Sequence, residues 1–118
     1  MAQITPFTMV RDINGVNGFG VPFSNYNVSA VLVASVEQTL VVPSFVTVPY
    51  PDLMAIFTYE LGTSVWVALN DTAVAPVGAF SQTSSQQNPA GRFVKPGDVL
   101  HFITSYPQVE VGVAFYAV

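Results

Sequence analysis

Near the C-terminus Val109, Val111, Val113 and Phe115 alternate with Glu110, Gly112, Ala114 and Tyr116. A helix, turning about every 3.6 residues, would scatter the four large apolar side chains around its axis, whereas an extended strand gathers them on one face. The segment is therefore a strand with one side for a core. Its other side is mostly small, as if a second surface comes close to it.

The rest of the chain beyond residue 27 reads the same way. Residues 28 to 36 are rich in β-branched side chains and free of Gly and Pro, Thr39 to Val42 stops at Pro43, and Phe45 to Val48 stops at Pro49. Tyr50-Pro51-Asp52 is a turn signal, because Pro pre-sets its torsion and Asp can close an Asx-type bond. Leu53 to Tyr59 follows, with a turn at Gly62. In Val65 to Leu69 the valines and Leu69 face one way, Trp66 and Ala68 the other. Lys95-Pro96-Gly97-Asp98 turns into Val99 to Thr104, apolar on both faces as far as Ile103, which suits a strand buried in a sandwich or at a subunit interface. Tyr106-Pro107-Gln108 leads into the final strand. No window carries a helical stripe over three turns. Residues 70 to 91 lack a sustained strand pattern and are expected to form a long surface loop with one short strand around Ala79 and Phe80. About seven strands with turn signals at short intervals predict an all-β fold, an antiparallel β-sandwich or jelly-roll-like single domain over residues 28–118.

Residues 1–27 differ. Three glycines and four asparagines between Asn14 and Asn27, with Pro22, disfavour both helix and long strand. The segment is expected to be an extended N-terminal arm lying on its own domain or a neighbour's. Ile4, Phe7, Met9 and Val10 form its short apolar stretch and are the candidate partner-binding residues.

Charge bounds the function. Only 8% of residues are charged while 51% are apolar, against about 25% charged in ordinary soluble domains. Surface must then be kept wet by Ser, Thr, Asn and Gln, or be covered by other protein, and covering by partner subunits is the expectation. The net charge of −4, with only Arg11, Arg92 and Lys95 positive, argues against nucleic acid as a partner. No apolar run is long enough to span a bilayer as a helix, and the first residues lack the pattern of a secretory signal, so synthesis in the cytoplasm and no membrane partner are expected.

Chemistry-bearing residues are few. There is no cysteine, and His101 is the one histidine, a poor basis for a metal site. His101 lies between Leu100 and Phe102 with Asp98 as the nearest carboxylate in sequence, and reads as a structural or interface residue. Asp12, Glu37, Asp52, Glu60, Asp71, Asp98 and Glu110 are spread singly, mostly at turns and strand ends. A calcium site at Asn70-Asp71 lacks dense oxygen-ligand spacing. Glycines 15, 18 and 20 lack the Lys-Ser/Thr and the helix of a phosphate loop. Trp66, Tyr50, Tyr59 and Tyr106 are the candidates for a sugar-binding platform, although aromatics on strands more often serve core or interface. No catalytic, cofactor or metal residue is expected, and the chain does not read as an enzyme.

The run from Ser35 to Pro43, the paired segments Ala55-Ile56-Phe57 and Val65 to Asn70, the loop end Asn88-Pro89-Ala90-Gly91-Arg92-Phe93-Val94 and the closing Val111 to Tyr116 resemble small virion proteins of tailed bacteriophages, of the capsid decoration or cement type. The resemblance covers residues 28 to 118 in style and spacing. It implies a β-sandwich subunit, commonly trimeric, that binds the major capsid protein and stabilises the head shell of the virion, and it brings no catalytic residues. Two other readings stay open: a neck, tail or fibre component of a virion, and a carbohydrate-binding β-sandwich module.

Overall fold

A computed structural model of the chain describes residues 4–8, 13–15, 20–44 and 52–118. Eight strands are formed: β1 (Asn27–Val33), β2 (Gln38–Val41), β3 (Leu53–Tyr59), β4 (Trp66–Leu69), β5 (Gln86–Gln87), β6 (Gly91–Val94), β7 (Val99–Ile103) and β8 (Gln108–Ala117). Among the described residues there is no helix. One sheet runs β1-β8-β3-β6 and the other β2-β7-β4-β5. All the strand pairs are antiparallel: β1 with β8, β2 with β7, β3 with β6 and β4 with β5 form four rungs, and β8 with β3 and β7 with β4 join them into sheets. Folding such a ladder over on itself, with alternate rungs in opposite sheets, gives the jelly-roll winding of a β-sandwich.

The alternation in the final strand sets the core. Val109, Val111, Val113 and Phe115 are all buried, with Val109 and Phe115 at 0% exposure. They meet Leu32 from β1 and Leu53, Ala55 and Phe57 from β3, and the second sheet adds Val67, Leu100 and Phe102. Phe57 and Phe102 touch across the two sheets, ring centroids 6.1 Å apart. Burying an aliphatic or aromatic side chain of this size is worth about 1.5–3 kcal/mol. β7 follows the expectation in part: Leu100 and Phe102 point inward, while Val99, His101 and Ile103 are half-buried on the outer side.

Three details depart from the sequence reading. The first strand stops at Val33, because Ala34 and Ser35 turn, with Ser35 in the left-handed region at φ 62°. The short strand expected around Ala79 and Phe80 is absent. Gly78 bends there at φ 130°, and the strand of this segment is β5, where Gln86 and Gln87 pair with Val67 and Trp66. Leu69 is 46% exposed at a sheet end, whereas Ala68, on the opposite face, is buried. Phe45 to Val48 and the Tyr50-Pro51 turn lie outside the described residues.

Candidate functional site

The N-terminal segment packs against its own domain. Ala117 N–H donates to Thr5 O at 2.9 Å and Phe7 N–H to Ala117 O at 2.8 Å, so residues 5–7 run as a parallel extension beside the end of β8. Ile4 is 1% exposed and belongs to the chain's own core. Phe7 is half-buried and meets Tyr116 edge-on at 5.6 Å. Tyr116 also donates its hydroxyl to Pro22 O at 2.8 Å, which explains why a residue on the outer side of β8 is buried. Thr5 and Asn25 exchange two bonds of 3.0 Å, tying the two ends of the arm together. Of the four candidate partner-binding residues, Ile4 and Phe7 thus touch the chain itself, and Met9 and Val10 lie outside the described residues.

The rest of the small side of β8 stays open. Ser29, Gly112 and Ala114 line a hollow of about 370 Å³ together with Ile56 and Phe23. Phe23 is wholly exposed. A Cβ on Gly112 would come within 2.8 Å of Thr58 Oγ1, so the residue type there follows from close packing within the sheet.

On the opposite sheet the structure brings together three groups far apart in sequence. His101 Nδ1 lies 3.2 Å from Glu37 Oε1, close enough for an ion pair with a protonated ring but off the line of a hydrogen bond. Glu37 Oε2 accepts from Ala73 N–H at 2.8 Å. That bond, and next the contact with His101, hold the Glu37 carboxyl below its ordinary range. Asp71 is also held low, first by the Ser84 hydroxyl at 2.7 Å and then by Thr72 N–H at 2.8 Å. Both Asp71 oxygens are therefore engaged by donors of the protein, which gives the residue a structural task as a clasp. Among the described residues no three His, Cys, Asp or Glu side chains gather as a metal-ligand set.

Asp98 and Glu60 hold turns and strand ends. Asp98 accepts from Lys95 N–H at 2.9 Å and from Asn70 Nδ2 at 3.1 Å. Glu60 accepts from Glu110 N–H at 3.2 Å. The described aromatic candidates do not share a face. Tyr59 stacks on Phe57 and donates its hydroxyl to Pro89 O at 2.7 Å, and burial pushes its phenol above the ordinary range. Tyr106 sits in the turn before β8, and Tyr50 lies outside the described residues. Trp66 lines a cleft formed with the loop that follows β4, and Tyr59 lines a separate open hollow with Glu60 and Glu110. Sequence reasoning missed both the Glu37–His101 contact and this cleft. Neither leaves a mark in local spacing, because the contact depends on the pairing of β2 with β7 and the cleft on the fold-back of a loop that has no periodicity. Comparisons of the chain with protein-family models, with curated proteins and with solved structures find no match.

Proposed function

We propose that the chain is a structural subunit of a virion: a decoration or cement protein that binds the major capsid protein and stabilises the head shell of a tailed bacteriophage, working as a homo-oligomer and specifically a trimer. The observation that carries this reading is large apolar side chains left in water on a chain that is 8% charged. Phe23 and Phe80 are wholly exposed, Ile13, Leu61 and Val77 are at least 95% exposed, and Phe93 is 68% exposed. Single exposed apolar residues are ordinary, but this number on a sparsely charged surface favours contact with other protein. The hollow beside Phe23 offers one such contact: a small floor that admits another chain closely and an aromatic knob at its rim. The jelly-roll winding is used by capsid domains among others, and on its own it carries little functional weight.

In this role the protein is passive and needs no catalytic residue. Apolar burial between subunits, repeated over the many copies of a closed shell, resists the outward pressure of packaged nucleic acid. The neck, tail or fibre reading shares this composition and differs in location. Gold-labelled antibody against the chain separates the two in electron micrographs of particles: label over the whole head supports the shell reading, and label confined to the neck or tail replaces it.

A further inference from the structure

The loop from Asn70 to Ser85 is long, yet it is held as a closed lobe. Across its neck Ser84 donates to Asp71 Oδ2 at 2.7 Å and Val74 N–H donates to Ser85 Oγ at 2.8 Å. Ala73, 3% exposed, is pinned to the face of the second sheet through its bond to Glu37. Beyond this neck the lobe and β4 enclose a cleft of about 410 Å³. Its lining combines Trp66 on the strand with Pro76 and Phe80 of the lobe, and with Gln82, Thr83 and Ser85. Trp66 is half-buried and so fixed in place, while Phe80 is wholly exposed.

The chemistry of that lining selects a ligand. No residue around the cleft carries a formal charge, so phosphates and other ions find no counter-charge there. Ser85 Oγ and Thr83 Oγ1 each accept a backbone N–H, but a wholly apolar ligand would displace water from the O–H donors of the lining and from the Gln82 carboxamide without replacing its bonds. A neutral sugar satisfies both halves. Its C–H faces lie against aromatic rings, and its hydroxyls exchange hydrogen bonds with Ser, Thr and Gln side chains, which both donate and accept. We infer that the cleft between Trp66 and the 74–85 lobe is a binding site for a neutral oligosaccharide. The site binds without cleaving, because glycoside hydrolysis ordinarily needs a pair of carboxyl groups and none lines the cleft. It does not depend on whether the chain sits on a capsid.

Trp66 is the one tryptophan of the chain, so tryptophan emission, excited selectively over the tyrosines, reports on this cleft. The full chain is titrated with neutral gluco-, manno-, galacto- and N-acetylglucosamine-based oligosaccharides, and in parallel with charged saccharides and apolar peptides. A saturable shift in emission is expected with at least one set. Phe80→Ala and Gln82→Ala, both on the exposed lobe, should keep the far-ultraviolet circular dichroism and weaken that binding by about tenfold or more. Trp66→Phe, followed by saturation-transfer NMR in place of emission, should weaken it likewise. Three results overturn the inference: no saturable response to any set up to tens of millimolar, a response that both lobe variants leave unchanged, or a preference for charged saccharides or apolar peptides.

Discussion

Asn88 shows how much one side chain can hold. Its backbone is left-handed at φ 42°, its Oδ1 accepts from Val65 N–H at 2.7 Å, and its Nδ2 donates to Thr63 O at 2.9 Å. Asn tolerates that torsion better than most residues. Asn88→Ala should cost about 2–4 kcal/mol in urea unfolding, from two lost bonds and an unsuited torsion. Asn88→Gly, which keeps the torsion, should cost less, about 1–3 kcal/mol. Equal stability of Asn88→Ala and the parent chain would contradict this role. The clasp of the loop is a second case at this scale. Glu37 lies below its ordinary 4.5 and Asp71 below its ordinary 3.8 in the folded chain. Depressed carboxyl groups stabilise the fold above the unfolded value, and that contribution is lost as pH falls through the lower folded value. Trp66 emission should therefore change as pH is taken from above 4.5 to below the depressed titrations of both carboxyl groups, and Asp71→Ala should reproduce the change at neutral pH. Emission that stays flat over this window would show that the clasp does not hold the lobe. None of these partners was legible in the sequence, where Asn88 stands in a polar run and Asp71 looks like an ion ligand without company.

The elements were legible to the degree that they alternate. β8 carries the period of two as far as Phe115 and its buried face agrees with it, whereas β3 is apolar throughout Leu53 to Phe57 and shows the period in its burial, not in its residue types. β5 is two exposed glutamines joined to β4 by backbone bonds alone, so no side-chain pattern could mark it. β6 buries only Val94, too little for a periodic signal. The arm posed the opposite problem. Its apolar residues are too sparse to read as part of a core, yet backbone pairing with Ala117 delivers Ile4 into one. Ile4→Ala should then cost about 2 kcal/mol, the low end for a core truncation because a terminal segment can shift to close the space. Thermal unfolding checks it. Removing residues 1–8 should lower the melting temperature while leaving strand-dominated circular dichroism, and an unchanged melting temperature in both variants would mean that the arm adds nothing to the fold.

For the molecule as a whole, the sandwich followed from strand count and turn spacing, but composition alone could not say where uncovered apolar surface would fall. It falls on both sheets and at loop tips: Phe23 beside the hollow of the first, Phe80 over the second, and Leu61 in the turn after β3. If subunits cover part of it, sedimentation should find an oligomer, a trimer, rather than a stable monomer of 12.6 kDa, and Phe23→Ser should shift the balance toward monomer. A density map of the intact virion tests the central claim most directly. The account predicts the eight-stranded sandwich in many symmetry-related copies on the outside of the head shell, seated on the major capsid protein. A map whose shell carries no such density, or which confines it to the neck, tail or fibres, would contradict it.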